Sequence, residues 1–188
     1  MPSHHELATI LAERSARRGD FVLASGRRSD LYVDARLTTM SPDGLVLIGR
    51  LGLDAIRAAG WQADAVGGMT LGADPVSYAI AFTSQLDGAP IRSFTVRKQA
   101  KQHGTGKRVE GPFRGGDRVV VVEDVITTGG SARDAIAAIR EAGGVPVGVL
   151  AVVDRQEGGR EVLEAEGLPV VSLTTAREII AAMGAHDA

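Results

Sequence analysis

Four consecutive valines, Val119 to Val122, run directly into Glu123-Asp124. After Val125-Ile126 the chain becomes small and hydroxylic at Thr127-Thr128-Gly129-Gly130-Ser131. An unbroken β-branched run of this kind suits a strand covered on both faces, as in a parallel sheet between helix layers. Two adjacent carboxylates ending such a strand repel one another and lose hydration, so hydroxyls, a metal or lysines must compensate. The following turn feeds a helical stripe at Ala132, Ala135, Ile136 and Ile139. Its backbone N–H groups can therefore close around a tetrahedral anion while the Thr127, Thr128 and Ser131 hydroxyls donate further bonds. This predicts a cradle for a monophosphate, with Glu123 and Asp124 placed to accept from the vicinal hydroxyls of a sugar. No Gly-Lys-Ser/Thr follows and Gly-x-Gly-x-x-Gly is absent, which disfavours the Walker and dinucleotide loops. A lone Asp at a strand end, or a lone Ser before a helix, would be an ordinary terminator or cap; the whole run is harder to explain that way.

The rest of the chain alternates strand and helix. Leu7, Ile10 and Leu11 share a helical face ahead of Arg14, Arg17 and Arg18, with Gly19 as the stop. Phe21 to Leu23 and Leu31 to Val33 read as short strands around a polar turn, forming a hairpin or hood. Ser41 and Pro42 open a helix as N-cap and first residue, and Gly60 closes it. A strand at Ala63 to Val66 is expected to run into a glycine turn at Gly67-Gly68, followed by a helix from Pro75 to Ser84 and a strand from Ile91 to Val96. Val145 to Val153 is a buried strand, Glu161 to Glu166 a short helix and Pro169 to Leu173 a last strand, with Thr174-Thr175 capping a C-terminal helix. The expected fold is α/β: an open, mostly parallel sheet flanked by helices, with its ligand at the carboxyl ends of the strands.

At 188 residues the expectation is a single domain, 1–188. With 21 basic against 23 acidic residues, broad adhesion to nucleic acid or anionic membrane is not expected, so any anion site must be local. The absence of cysteine removes disulfides and thiolate-bound metals. The first residues, with His4, His5 and Glu6, do not read as a signal peptide, and a cytoplasmic location is expected.

Against this acidic total, Arg97, Lys98, Lys101, Lys107 and Arg108 cluster with His103 around Gly104 and Gly106. Such a run repels itself, and reads either as a solvated loop or as a lid that orders over a polyanion. A closed lid places its cations where a departing pyrophosphate builds charge. Arg155 ends a buried strand on the ligand side and is either a carboxylate partner or a surface arginine; Tyr32 either lies against a flat base or serves the core.

The segment from Val119 to Ser131 resembles the PRPP-binding motif of type I phosphoribosyltransferases: four hydrophobic residues, two acids, two hydrophobic residues and a Thr/Gly/Ser turn. Arg97-Lys98, Lys101 and His103-Gly104 are similar to the catalytic loop of the orotate phosphoribosyltransferase branch, and Leu23 to Arg27, Val66 to Pro75 and Asp154 to Glu157 extend the likeness over most of the chain. The resemblance implies the type I fold with an N-terminal hood at about 1–40 and a catalytic loop at about 97–111. It implies transfer of a phosphoribosyl group from 5-phosphoribosyl 1-pyrophosphate (PRPP) to orotate, giving orotidine 5′-monophosphate and pyrophosphate in pyrimidine synthesis. It further implies a homodimer whose loops cross between subunits.

Residue by residue, the likeness implies PRPP contacts at Arg97, Lys98, Lys101, His103, Glu123, Asp124, Val125, Ile126, Thr127, Thr128, Gly129, Gly130 and Ser131. It implies orotate contacts at Thr127, Arg155 and Tyr32, and catalytic roles for Lys101, Asp124 and His103, with Mg²⁺ held mainly by PRPP and water. Some family members carry lysines where this chain has Ala24 and Leu71, so neither cation is available here. Two rivals stand beside this reading: a phosphoribosyltransferase for another base, and a PRPP-sensing regulator that binds nucleic acid. No spare segment offers a helix-turn-helix for the second.

Overall fold

The computed structural model describes residues 3–22, 28–99 and 107–186. The elements in chain order are α1 (His4–Arg14), β1 (Ala16–Val22), β2 (Arg28–Val33), α2 (Arg36–Thr39), α3 (Pro42–Ala58), β3 (Ala65–Met69), α4 (Ala73–Leu86) and β4 (Arg92–Val96). They continue with β5 (Val109–Glu110), β6 (Arg118–Ile126), α5 (Gly130–Glu141), β7 (Val145–Asp154), α6 (Gly159–Ala165), β8 (Val170–Thr175) and α7 (Ala176–His186). The six-stranded sheet has the order β5-β4-β3-β6-β7-β8, parallel throughout except for the edge strand β5. The α/β expectation is met.

The valine run behaves as its composition requires. Strand β6 lies between β3 and β7, and its side chains alternate between two cores. Val120 and Val122 meet Leu7, Ile48, Ile80 and Ile179 on the face covered by α1, α3, α4 and α7, while Val119 and Val121 meet Phe94, Ile136, Ile139 and Leu163 on the α5 and α6 face. All four valines are fully buried, and removing a branched side chain of this size from water contributes roughly 1.5 to 3 kcal/mol each. The chain order steps outward from β3 to β4 and then back to the other side of β3 with β6. The crevice beyond the carboxyl ends of β3 and β6 is thus the topological switch point, the place where open α/β sheets bind ligands.

Several local readings change. Helix α1 stops at Arg14 with Ser15 as its C-cap, so Arg17, Arg18 and Gly19 belong to β1, not to a helical tail. Arg17 and Arg18 pair with Tyr32 and Leu31 across the two-stranded β1-β2 hairpin, which satisfies backbone groups that a longer helix would have held. Gly67 and Gly68 do not turn; they are interior residues of β3. A Cβ on Gly67 would run into the Phe94 carbonyl oxygen, and one on Gly68 into that of Val122, so these glycines let β3 pack between its neighbours. The turn comes later, at Thr70 to Gly72. Ser41 caps α3 as expected, its hydroxyl accepting from the Gly44 amide at 3.2 Å. Thr175 caps α7 in a reciprocal box with Glu178. The short α2 and β5 were not anticipated. No helix among the described residues is long and apolar enough to cross a membrane.

Candidate active site

Strand β6 does not end at its acids; it continues through Val125 and Ile126, so Glu123 and Asp124 are strand residues. Val122, Glu123, Val125 and Ile126 stay in register with β7 up to Asp154, which keeps the strand intact past the carboxylates. Glu123 is buried, and its Oε1 has no hydrogen-bond partner among the described residues. Burial, and secondarily the charge of Asp124, pushes its carboxyl up to about 8, so the side chain carries its proton at neutral pH. For Glu123 the expectation of an ionised carboxylate is therefore corrected for the unliganded chain. Asp124 is also raised by burial, opposed by the Val125 amide, which donates to its Oδ1 at 2.8 Å, and by the positive charge of Arg36.

Beyond Ile126 the chain lines a small pocket of about 160 Å³ bounded by Glu123, Val125 and Thr127 to Ser131. Gly129 adopts φ +80, a left-handed turn that opens α5. Among the described residues, the amides of Thr127 to Ser131 donate to no other group, nor do the hydroxyls of Thr127, Thr128 and Ser131. A ring of free donors at a helix N-terminus is what an anion requires. The back of this turn rests on Gly159, where a Cβ would stand 2.5 Å from the Thr127 carbonyl oxygen and 2.8 Å from the Gly129 nitrogen. Gly159 escaped the sequence reading, although the Gly158-Gly159 doublet was there to suggest a close approach.

On the opposite bank lies the turn after β3. A Cβ at Gly72 would come within 2.5 Å of the Asp124 carboxyl carbon and both its oxygens, so this backbone presses directly on the acid. Lys98 is exposed and borders a cleft of about 830 Å³ whose wall includes Met69, Gly130 and Ser131, which brings it to the flank of the cradle. Arg97 stands at the sheet edge, its guanidinium 3.7 Å from Glu110 and its amide donating to the Arg108 carbonyl at 2.8 Å. Lys101 and His103 lie outside the described residues, as do Leu23 to Arg27, including Ala24.

Arg155 is neither a surface arginine nor an open receptor. Its Nη2 donates to Ser29 Oγ at 2.9 Å and to the Leu31 carbonyl at 2.8 Å, and sits 3.0 Å from a Glu157 oxygen, while its buried Nε has no partner among the described residues. The side chain therefore straps the hairpin to the end of β7. Tyr32 is 43% exposed and packs on Phe21 with ring centroids 5.5 Å apart, so it is not a core residue. Beside it, Arg36 pairs with Asp34 at 2.8 Å and projects its charge toward Asp124, a contribution the sequence did not suggest. Among the described residues no three His, Asp or Glu side chains gather as a metal cage. The arrangement suits an anionic sugar phosphate: donors for its phosphate, and two carboxyl groups for its hydroxyls.

No protein-family model matches the chain. An orotate phosphoribosyltransferase of Aquifex aeolicus is 46% identical over 183 residues, covering 96% of this chain and 99% of the relative. One from Corynebacterium glutamicum is 49% identical over 168 residues, 89% of each chain. Among solved structures, the Mycobacterium tuberculosis orotate phosphoribosyltransferase in complex with PRPP superposes with a TM-score of 0.77 at 38% identity, over 95% of this chain and 92% of that one. Identity at this level along nearly the whole length, on the same fold, means that the chain belongs to the orotate phosphoribosyltransferase family.

Proposed function

We propose that this protein transfers the phosphoribosyl group of PRPP to orotate, producing orotidine 5′-monophosphate and pyrophosphate for pyrimidine synthesis. The observation that carries the reading is the ring of free donors at Thr127 to Ser131 directly beyond Glu123 and Asp124. In this scheme the 5′-phosphate takes the amides and hydroxyls of that turn, Val125 and Ile126 supply its wall, and Glu123 and Asp124 receive the ribose hydroxyls. Arg97, Lys98, Lys101 and His103 neutralise the departing pyrophosphate. The bond from C1 to pyrophosphate lengthens into an oxocarbenium-like state, which a ring nitrogen of orotate captures. Asp124, beneath the ribose, stabilises the charge developing on the sugar, and Lys101 carries the main share of charge on the leaving group. Mg²⁺ would be held mainly by PRPP and water, since no three His, Asp or Glu side chains gather among the described residues, and would supply further neutralisation of the pyrophosphate.

For orotate, Tyr32 offers an exposed ring face, Thr127 a hydroxyl and a backbone amide, and Arg155 the rim beside Ser29. The orotate carboxylate reaches Arg155 only by joining or displacing its bonds to the hairpin. We further propose that residues 1–188 act as one phosphoribosyltransferase domain in the cytoplasm, with the hood at about 1–40 and a catalytic loop at about 97–111. Two copies pair so that each loop serves the other's site. Tyr78, Phe82 and Leu86 repeat every four residues along α4, are 50%, 67% and 70% exposed, and with Val46 of α3 border an apolar groove of about 490 Å³. Exposed apolar area of this kind favours association, and a second copy would cover it.

Incubated with Mg²⁺, PRPP and orotate, the protein should form orotidine monophosphate and pyrophosphate in equal amounts; product with another base but none with orotate overturns the assignment. Lys101→Ala should lower kcat by at least ~100-fold while PRPP binding, measured by calorimetry, changes by less than about threefold. Phe82→Asp should shift the sedimentation of the protein from dimer to monomer, and a wild-type monomer at micromolar concentration would contradict the pairing.

Glu123 gives a pH test. Its folded-state pKa lies near 8 against an ordinary 4.5, so the folded chain holds a proton that the unfolded chain has shed between those values. Its contribution to stability is full below 4.5 and disappears as pH rises through about 8, a loss of up to roughly 5 kcal/mol. Glu123→Gln should flatten that decline in urea melts. If the ribose hydroxyls donate to an ionised Glu123, PRPP binding at pH 7 should release close to one proton per site, visible in buffers of different ionisation enthalpy. The release should vanish in Glu123→Gln.

A further inference from the structure

The turn that presses on Asp124 is itself held from behind. Asp74, in the first turn of α4 and 9% exposed, accepts the Thr70 hydroxyl on Oδ2 at 2.7 Å and the Thr95 hydroxyl on Oδ1 at 2.8 Å. The Thr95 hydroxyl also lies 2.9 Å from the Tyr78 hydroxyl. Thr95 has a single hydroxyl proton, which it gives to Asp74, so Tyr78 must donate to Thr95. The chain of donors therefore runs Tyr78 to Thr95 to Asp74, and Thr70 closes on the same carboxylate from the other side. Two backbone bonds complete the brace: the Thr70 amide donates to the Val96 carbonyl at 2.8 Å, and the Asp74 amide to the Leu71 carbonyl at 3.3 Å.

Each end of the brace has a fixed foundation. Thr95 sits on β4, which pairs in parallel with β3 from Ala65↔Arg92 to Met69↔Val96, so it cannot shift without dragging the strand next to the turn. Thr70 is the first residue beyond β3, and Gly72, two residues on, is the one whose missing side chain admits the Asp124 carboxylate. A carboxylate that accepts two hydroxyls in a buried position makes charge-assisted bonds, stronger than neutral ones, and losing it leaves two donors without acceptors.

We propose that Asp74 is a positioning residue for the transfer reaction: by gripping Thr70 and Thr95 it holds the Thr70 to Gly72 turn against Asp124 and so fixes the acid that receives the ribose. This rests on the phosphoribosyl-transfer reading of the site. Asp74 touches no substrate. Its effect passes through Gly72, and it bears on the sugar end of PRPP, not on the phosphate held by residues 127 to 131.

That division supplies the test. In Asp74→Ala the KM for PRPP should rise at least tenfold, while the Kd of inorganic phosphate, which needs only the cradle, stays within twofold of wild type. Asp74→Asn still bonds both hydroxyls if one of them reverses its donor role, and should recover most of the loss. In Asp124→Asn the further change Asp74→Ala should add little, because the group it positions has already been altered. Thr95→Val, which leaves Asp74 in place, should move PRPP KM in the same direction by a smaller factor, and serves as the readout if Asp74→Ala does not fold. Phosphate and PRPP weakened equally, effects of Asp74→Ala and Asp124→Asn that multiply in full, or PRPP KM within twofold of wild type in folded Asp74→Ala or Thr95→Val would overturn the proposal. A wild-type protein that neither binds PRPP nor forms product would instead sink the reading on which it rests.

Discussion

Burying one carboxyl group and half-burying its neighbour, in the same strand that forms the centre of the hydrophobic core, is the constraint on which this structure turns. Strand β6 can carry Val119 to Val122 between two apolar layers only because β3 and β7 satisfy its backbone on both sides. The ladder with β3 ends at Val121 while that with β7 continues to Ile126, and there Glu123 is taken out of water and Asp124 partly so before any ligand is present. Desolvation of a carboxylate is more costly than its protonation, and Glu123 meets that cost by keeping its proton. Burial raises Asp124 as well, opposed by the Val125 amide and the nearby charge of Arg36.

Around this strand the crevice is built from two turns with separate supports. The turn after β6 leans on Gly159 of α6, while the turn after β3 leans on Asp74 and Thr95. The hairpin β1-β2 closes the third side through Arg155, whose guanidinium bridges Ser29 and Leu31 to the end of β7.

The central strand, the turn that follows it and the helix after it were legible in the sequence because their signals are local: a hydrophobic run, two charges and a small-residue turn inside thirteen positions. What the sequence hid depends on distant partners. Gly67-Gly68 reads as a turn until the carbonyls of Phe94 and Val122 are seen to occupy the space a side chain would need. The hold of Arg155 on the hairpin was hidden because its partner, Ser29, is 126 positions away. The Asp74 brace joins residues 21 apart across a helix and a strand, and none of Thr70, Asp74 or Thr95 is unusual alone. With two residues, β5 is too short for any alternating pattern to register. Tyr32 illustrates the remaining class: its aromatic chemistry was plain, while its exposure depends on how the hairpin sits.

The pairing of β5 with β4 has a geometric consequence for the basic segment between them. Thr95↔Glu110 and Val96↔Val109 are ladder partners, and the Arg97 amide bonds the Arg108 carbonyl. The ten residues 98 to 107 thus leave and return at one staple on the sheet margin. With about 3.5 Å of contour per residue, the apex of that tether can stand no more than roughly 20 Å from the staple. Covalent connection alone thus bounds where the backbone of that segment can reach, before its side chains add their own length.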